Sequence, residues 1–223
     1  MIRRSTFDPR LYLVIDPRQC AGRPPTEIAA AAARGGASLV QLRAKGLETR
    51  EMVALARALR QAVVPFDVAL LINDRVDVAL AAGAQGVHLG QTDMAPADAR
   101  RLLGPDAIIG LTARAAEEVA AAPVSLVDYL SIGGVFATAS KDTPSPPIGL
   151  DGLRRLAAQA AALSELPRTA ISGIDAANCD AVIRCGVDGV AVISAICAAA
   201  DPQQAAAELR RRIDRALAQK DRS

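Results

Sequence analysis

Aromatic side chains are scarce in this sequence of 223 residues, which has no tryptophan and only two tyrosines and three phenylalanines. Single-stranded nucleic acids are usually held by aromatic rings that stack on the bases, in a groove lined by basic residues. Here 26 basic residues are balanced by 24 acidic ones, the net charge is +2, and no basic block stands out. The composition therefore argues against a nucleic acid as partner.

Long apolar runs are also missing. No stretch approaches the roughly 18 apolar residues that a membrane-spanning helix needs, and the N-terminal segment MIRRSTFDPR lacks the apolar core of a signal peptide. We therefore expect a cytoplasmic protein with no membrane partner. The four cysteines, Cys20, Cys179, Cys185 and Cys197, show neither paired metal-ligand spacing nor a Cys-x-x-Cys motif, which predicts reduced thiols in the core.

One unit, an apolar strand followed by a helix, recurs along the chain. Its first copy has a strand at residues 11–15 and a helix from Thr26 to Arg34 that ends at Gly35 and Gly36. Further strands are expected at residues 38–42, 69–72, 86–89, 107–110, 126–132, 168–171 and 188–192. Further helices are expected at residues 48–63, between the strands at 69–72 and 86–89, and at residues 96–103, 115–121, 150–163 and 175–185.

Eight strands that are apolar nearly throughout and alternate strictly with helices predict a closed parallel barrel. The fold class is therefore α/β, a single (β/α)8 TIM barrel over residues 1–223. Residues 1–10 are interpreted as an N-terminal extension and residues 202–219 as the final barrel helix.

The loops after the predicted strands are rich in polar residues. In TIM barrels the chemistry takes place on the loops at the carboxyl ends of the strands. Strands two to six are followed, in order, by Gln41, Arg43 and Lys45; Asn73, Asp74 and Arg75; His88, Gln91 and Asp93; Thr112; and Thr138, Ser140 and Lys141. The ends of strands seven and eight, around Gly173, Ile193 and Ser194, offer instead the glycine, serine and backbone N–H groups typical of a phosphate site.

The carboxylates Asp74 and Asp93 follow two strands that we expect to be neighbours. Mg²⁺ is usually held in proteins by one or two carboxylates, with water and substrate phosphate oxygens at its other positions. The pair therefore predicts a magnesium site. The alternative for each residue alone is a helix N-cap.

Arg43, Lys45 and Lys141 add three positive charges, which suit a diphosphate better than a monophosphate. The second region, near Ser194, has no cation of its own and suits a monophosphate held by backbone amides. Taken singly, Arg43 and Lys45 could be solvated loop charges, His88 a barrel residue with satisfied hydrogen bonds, and Ser194 an N-cap. Their convergence at one barrel face favours a site for two phosphorylated small molecules, one of which leaves as diphosphate.

Residues 133–149 form a long loop that contains Lys141 and three prolines. Loops of this length in a compact domain are usually functional. We expect a mobile flap with a stiff base.

Four segments resemble the thiamine phosphate synthase family, in order and over nearly the whole chain. They are VQLRAK (residues 40–45), LINDRVDVALAAGAQGVHLGQTD (71–93), DYLSIGGVFATASK (128–141) and DGVAVISAI (188–196). The resemblance implies a transferase that joins hydroxymethylpyrimidine diphosphate to a thiazole phosphate and releases diphosphate, with Mg²⁺. In that family the C–O bond to diphosphate breaks early, and the thiazole nitrogen captures the resulting pyrimidine cation. Neither a protein nucleophile nor a strong base is required.

The resemblance also implies a role for each matching residue. Gln41 and His88 would lie beside the pyrimidine, Arg43, Lys45, Asn73, Thr112 and Lys141 would hold its diphosphate, Asp74 and Asp93 would bind the metal, and Thr138, Ser140, Gly173, Ile193 and Ser194 would surround the thiazole phosphate. Of these, Arg43, Thr112 and Lys141 are expected to be catalytic. The expected partners are the two small-molecule substrates, and a homo-oligomer is compatible with the sequence.

Three residues depart from the family pattern: Ser172 replaces the first glycine of a Gly-Gly pair, Gly134 a usual proline, and Arg114 a frequent histidine. None of them is a predicted diphosphate or metal ligand, so thiazole binding is the property most affected. Two alternatives stay open at this point. A related thiazole tautomerase shares the barrel but lacks the metal-site carboxylates and uses the histidine that Arg114 replaces. A non-catalytic paralogue would only bind a phosphorylated ligand.

Overall fold

The computed structural model describes residues 7–138 and 146–220. Within these ranges eight parallel strands form a closed barrel in chain order, and the last strand pairs with the first. The strands are β1 Leu11–Ile15, β2 Leu39–Leu42, β3 Ala69–Asn73, β4 Gly86–Leu89, β5 Ile108–Ala113, β6 Tyr129–Ile132, β7 Arg168–Ile171 and β8 Gly189–Val192. The predicted TIM barrel is confirmed.

Helices surround the barrel and bury their apolar faces against its strands. In the described ranges they are α1 Pro25–Arg34, α2 Thr49–Val63, α3 Val76–Ala82, α4 Pro96–Leu103, α5 Ala116–Ala120, α6 Gly149–Leu163, α7 Cys179–Ile183, α8 Ser194–Cys197 and α9 Pro202–Lys220, with 3₁₀ helices at Pro17–Gln19 and Val64–Phe66. In α1 the buried residues Ile28, Ala29, Ala32 and Ala33 recur at helical spacing. None of the helices described here is long and apolar enough to cross a membrane.

The barrel interior is filled at its amino-terminal end. Because successive strand residues point to opposite faces, one set of side chains turns inward; it comprises Tyr12, Val14, Leu39, Leu71, Ile108, Tyr129 and Ala191. Phe7, before β1, packs against this set with its ring 5.3 Å from that of Tyr129. The filled amino end leaves the carboxyl end of the barrel for a cavity.

Four charged residues hold the segment before β1 against α9. Asp8 accepts hydrogen bonds from Arg10 at 2.7 Å and from Arg210 at 3.0 Å. Asp214 accepts from Arg10 at 2.9 Å and from Arg210 at 3.0 Å. We call Asp8, Arg10, Arg210 and Asp214 the closing cluster, because they join the two ends of the chain where β8 meets β1.

Three predicted boundaries were wrong by three or more residues. The strand expected at residues 126–132 begins at Tyr129, because the chain before it forms a turn in which the Leu126 N–H donates to the Pro123 carbonyl at 2.8 Å. β5 runs on through Thr112 and Ala113, because these residues pair with Ser131 and Ile132 of β6. The helix after β7 begins at Cys179 instead of Asp175, because residues 175–178 form a turn held by a side chain. In this turn the Asp175 N–H donates to Asn178 Oδ1 at 3.0 Å. Side chains of this kind compete with the first turn of a helix.

Candidate active site

A cavity of about 1140 Å³ opens at the carboxyl ends of the strands. Ten of the predicted site residues line it: Gln41, Arg43, Lys45, Asn73, His88, Thr112, Thr138, Gly173, Ile193 and Ser194. Ser140 and Lys141 lie outside the described residues, as does the middle of the expected flap. Arg75 does not line the cavity, and its guanidinium binds the Asp77 carboxylate instead. The roles of the ten residues stay predictions, but the barrel brings them to one cavity.

Arg43 is held by a buried carboxylate that the sequence reasoning missed. Asp16 directly follows β1, and its side chain is 0% exposed. Its Oδ2 accepts from Arg43 Nη1 and from Arg18 Nη2, each at 2.7 Å. Burial by itself would raise the pKa of Asp16, but the hydrogen bonds and charge of Arg18, together with the charge of Arg43, lower it below its ordinary value. The signal that could have found Asp16 was its position at the end of strand one.

The two predicted metal-binding carboxylates come together beside Lys45, although neither of them lines the cavity itself. Asp74 is adjacent to Asp93, whose Oδ2 accepts from the Gly90 N–H at 2.7 Å. Burial and the neighbouring Asp74 raise the pKa of Asp93, against the lowering effects of Gly90 and Lys45. Lys45, which lines the cavity, places its Nζ 3.1 Å from Asp74 Oδ2. Two of the three cations counted from the sequence are therefore already paired with carboxylates: Arg43 with Asp16, and Lys45 with Asp74.

The chemistry of this carboxylate pair fits Mg²⁺. Two like charges held together beside a cavity raise the free energy of the ionised state, and a divalent cation would relieve that repulsion. No group of three or more histidine, cysteine, aspartate or glutamate side chains converges within the described chain. Two carboxylates and a phosphorylated substrate are nevertheless the usual ligand set of a substrate-bridging Mg²⁺.

A chain of hydrogen bonds crosses the floor of the cavity. Gln41 Nε2 donates to the Tyr12 hydroxyl, and the Tyr129 hydroxyl donates to Tyr12 at 2.9 Å. His88 Nδ1 lies 2.7 Å from the Tyr129 oxygen, and Nε2 lies 2.7 Å from Thr112 Oγ1. Both ring nitrogens of His88 are therefore engaged, and the imidazole tautomer sets which of them donates.

These hydrogen bonds fix the orientation of Gln41 and His88, the two residues predicted to contact the pyrimidine. Burial raises the pKa of both Tyr12 and Tyr129, so their hydroxyls stay protonated. The sequence analysis had identified neither tyrosine as a site residue. Their contact depends on closure of the barrel, which brings inward side chains of distant strands together.

The opposite wall is formed by the ends of β7 and β8. Ser172 has a φ of 97°, and its Oγ accepts from the Gly134 N–H at 3.2 Å. The Ser172 carbonyl in turn accepts from the Phe136 N–H at 3.0 Å. A Cβ atom added to Gly173 would lie 2.7 Å from the Phe136 Cβ, so only glycine fits there. Two of the departures from the family pattern, Ser172 and Gly134, are thus bonded to each other.

The third departure, Arg114, lines the same cavity and donates its backbone N–H to Glu118 Oε2 at 2.6 Å.

The fold and this cavity together define a (β/α)8-barrel enzyme whose polar groups lie at the carboxyl ends of the strands. A family model described as thiamine monophosphate synthase matches residues 11–196. The chain belongs to the thiamine monophosphate synthase family, whose members are transferases.

Relatives support the same assignment over most of the chain. A protein of Solidesulfovibrio magneticus named thiamine-phosphate synthase is 52% identical over 207 residues, which are 93% of this chain and 96% of that protein. A protein of Albidiferax ferrireducens with the same name is 48% identical and covers 92% of both chains.

Two solved structures agree with the fold. The thiamine phosphate pyrophosphorylase of Pyrococcus furiosus has a TM-score of 0.83 and 38% identity, covering 94% of this chain and 98% of that one. A 3-hexulose-6-phosphate synthase, with a TM-score of 0.64 and 18% identity, shares the fold alone.

Proposed function

We propose that this protein joins hydroxymethylpyrimidine diphosphate to a thiazole phosphate, forming thiamine phosphate and inorganic diphosphate. The observation that carries the proposal is one cavity with two chemically different walls. One wall bears Arg43, Lys45 and the nearby carboxylate pair; the other bears Gly173, Ile193 and Ser194. A doubly phosphorylated leaving group suits the charged wall, and a monophosphate that is retained suits the second.

In this reaction the bond between the pyrimidine methylene carbon and a diphosphate oxygen breaks, and its electron pair leaves with the diphosphate. The thiazole nitrogen then donates its lone pair to the methylene carbon. Mg²⁺, held by Asp74 and Asp93, would neutralise charge on the departing diphosphate. Arg43 and Thr112 would add hydrogen bonds to the same oxygens, with Lys141 as a further cation, and these contacts strengthen as negative charge develops.

The pyrimidine would lie on the floor, between Gln41 and His88. Gln41 Nε2 is bound to Tyr12, so its carbonyl oxygen is left to accept from an amino group of the ring. Both ring nitrogens of His88 are engaged, Nδ1 with the Tyr129 hydroxyl and Nε2 with the Thr112 hydroxyl. This agrees with a reaction that needs positioned ligands instead of a strong base.

Lys45 would change partner when the ligands bind. Its ammonium lies 3.1 Å from Oδ2 of Asp74, one of the two carboxylates that would hold the metal. With a divalent cation held by Asp74 and Asp93, the Lys45 ammonium would be repelled from Asp74 and would become available to the diphosphate. We therefore expect Mg²⁺ and diphosphate to strengthen each other's binding.

The test is product formation by the purified protein with both substrates, with each substrate omitted in turn, and with Mg²⁺ removed by a chelator. Thiamine phosphate should form only in the complete mixture. Isomerisation of a thiazole phosphate alone would instead support the tautomerase alternative. Binding of phosphorylated ligands without any product would support a non-catalytic paralogue.

A further inference from the structure

Asp16 makes more hydrogen bonds than a helix N-cap requires. It is the N-cap of the 3₁₀ helix Pro17–Gln19, and its Oδ1 accepts from the Arg18 N–H at 3.1 Å. A serine hydroxyl could make that one bond. The second oxygen instead holds two guanidinium groups, those of Arg18 and Arg43, from different loops of the barrel.

Arg43 is fixed on both its backbone and its side chain. Its N–H donates to the Ile15 carbonyl at 2.8 Å, one residue before Asp16. Its side chain is only 11% exposed and lines the cavity, with Nη1 bound to Asp16. A guanidinium has five N–H donors in a rigid plane, so fixing one of them orients the remaining donors of Arg43 before any ligand arrives.

Asp16, Arg18 and Arg43 together carry a net positive charge that is available to an anionic ligand. Asp16 carries one negative charge against the two positive charges of Arg18 and Arg43. Arg18 is 62% exposed and also lines the cavity, so it can balance the buried carboxylate while remaining in contact with solvent. The buried carboxylate thus orients Arg43 without cancelling the positive charge of the wall.

We propose that Asp16 is the positioning residue of Arg43, holding its guanidinium in the orientation that binds the diphosphate of the pyrimidine substrate. The proposal rests on the proposed function for the identity of that ligand. Pre-orienting a charged donor lowers the entropy lost on binding and fixes the donor where charge develops.

The test uses Asp16→Ser, because serine keeps an N-cap oxygen for the Arg18 N–H but cannot reach both guanidinium groups. The matched control is Asp128→Asn. Asp128 is also a buried carboxylate bound to an arginine, Arg100 at 2.7 Å, but it precedes β6 at the opposite end of the barrel.

The primary measurements are the Kd for inorganic diphosphate with Mg²⁺, by calorimetry, and the KM for each substrate. Asp16→Ser should weaken diphosphate binding and raise KM for the pyrimidine diphosphate by about tenfold, equivalent to about 1.4 kcal/mol, with KM for the thiazole phosphate within twofold of wild type. Asp128→Asn should lower the Tm without changing either constant. In an Arg43→Gln background, Asp16→Ser should add little, since its effect acts through Arg43.

A second measurement does not depend on the reaction. NMR of the guanidinium Nε–H groups, with Arg43 assigned by comparison with Arg43→Lys, should show restricted motion of Arg43 in the wild type and faster rotation in Asp16→Ser. Equal Arg43 dynamics, or an unchanged Kd and KM in Asp16→Ser, would overturn the positioning role. If instead the wild type neither binds diphosphate nor forms product while the NMR difference is present, it is the proposed function that fails.

Discussion

At the scale of single residues, the carboxylate pair gives the sharpest prediction. Asp93→Asn should abolish most turnover and the response to Mg²⁺ while leaving the Tm unchanged or slightly higher. Asparagine keeps the volume and can still accept from the Gly90 N–H, but the repulsion that raises the pKa of Asp93 beside Asp74 disappears. Turnover across a Mg²⁺ titration, with thermal unfolding of the same samples, measures both effects. Undiminished turnover with the wild-type metal dependence would contradict the assignment of Asp93 as a metal ligand.

Ser172 gives a second prediction, in which two energies oppose each other. Glycine would relieve the φ of 97°, a strain of about 1–3 kcal/mol. It would also remove the hydrogen bond from the Gly134 N–H, worth about 0.5–1.5 kcal/mol. We expect Ser172→Gly to change the Tm little.

The ligand effect of this substitution is expected to be specific. The Ser172 oxygen accepts from Gly134, which leaves its hydroxyl proton to donate to a phosphate. KM for the thiazole phosphate should therefore rise several-fold in Ser172→Gly, while KM for the pyrimidine diphosphate serves as the internal control. A lowered thiazole KM would show that the serine hinders the ligand.

At the scale of elements, α1 and α9 meet at a position that has no room for a side chain. A Cβ on Gly35 would overlap the Gln203 carbonyl oxygen and lie 2.8 Å from the Ala206 Cβ. Overpacking of this kind costs about 1–3 kcal/mol. Gly35→Ala should therefore lower the Tm by several degrees without altering either KM, since α9 packs outside the barrel. An unchanged Tm would show that the two helices can separate freely.

The sequence predicted the elements better than their contacts. Apolar runs and glycines located all eight strands, and at least one polar residue after each of strands two to five and strand eight reached the cavity, as for Gln41 and His88. Pairings between distant side chains were not accessible. Tyr12 and Tyr129 are 117 positions apart and meet only because the sheet closes. Asp16 was missed because burial of a carboxylate is not expected from sequence unless its charged partners, here Arg18 and Arg43, are known.

At the scale of the whole molecule, the closing cluster makes stability depend on acidity. Burial alone would raise the pKa of Asp8, but its bonds to Arg10 and the charge of Arg210 lower it below its ordinary value of 3.8. A lowered native pKa contributes stability that is present above the unfolded value and is lost as the pH falls through the native value. The Tm should therefore drop as the pH falls below about 3.8.

Asp8→Asn tests this dependence. The variant should be less stable than wild type at pH 7, and the difference should shrink as the pH falls below the ordinary value. Asp106→Asn, which removes an exposed carboxylate away from the cluster, is the control. A difference between Asp8→Asn and wild type that stays constant from pH 7 to pH 2 would contradict the linkage.

The backbone of Asp74 restricts which residues evolution can place there. Its φ of 64° is left-handed, and its N–H is bound to the His88 carbonyl at 2.9 Å. Glycine, asparagine and aspartate tolerate that conformation best, whereas branched side chains do not. Aspartate is the member of this small group that carries a negative charge. In a library of all substitutions at position 74, we expect folding to survive with asparagine or glycine and turnover to survive with aspartate alone; glutamate would have the charge but not the fit.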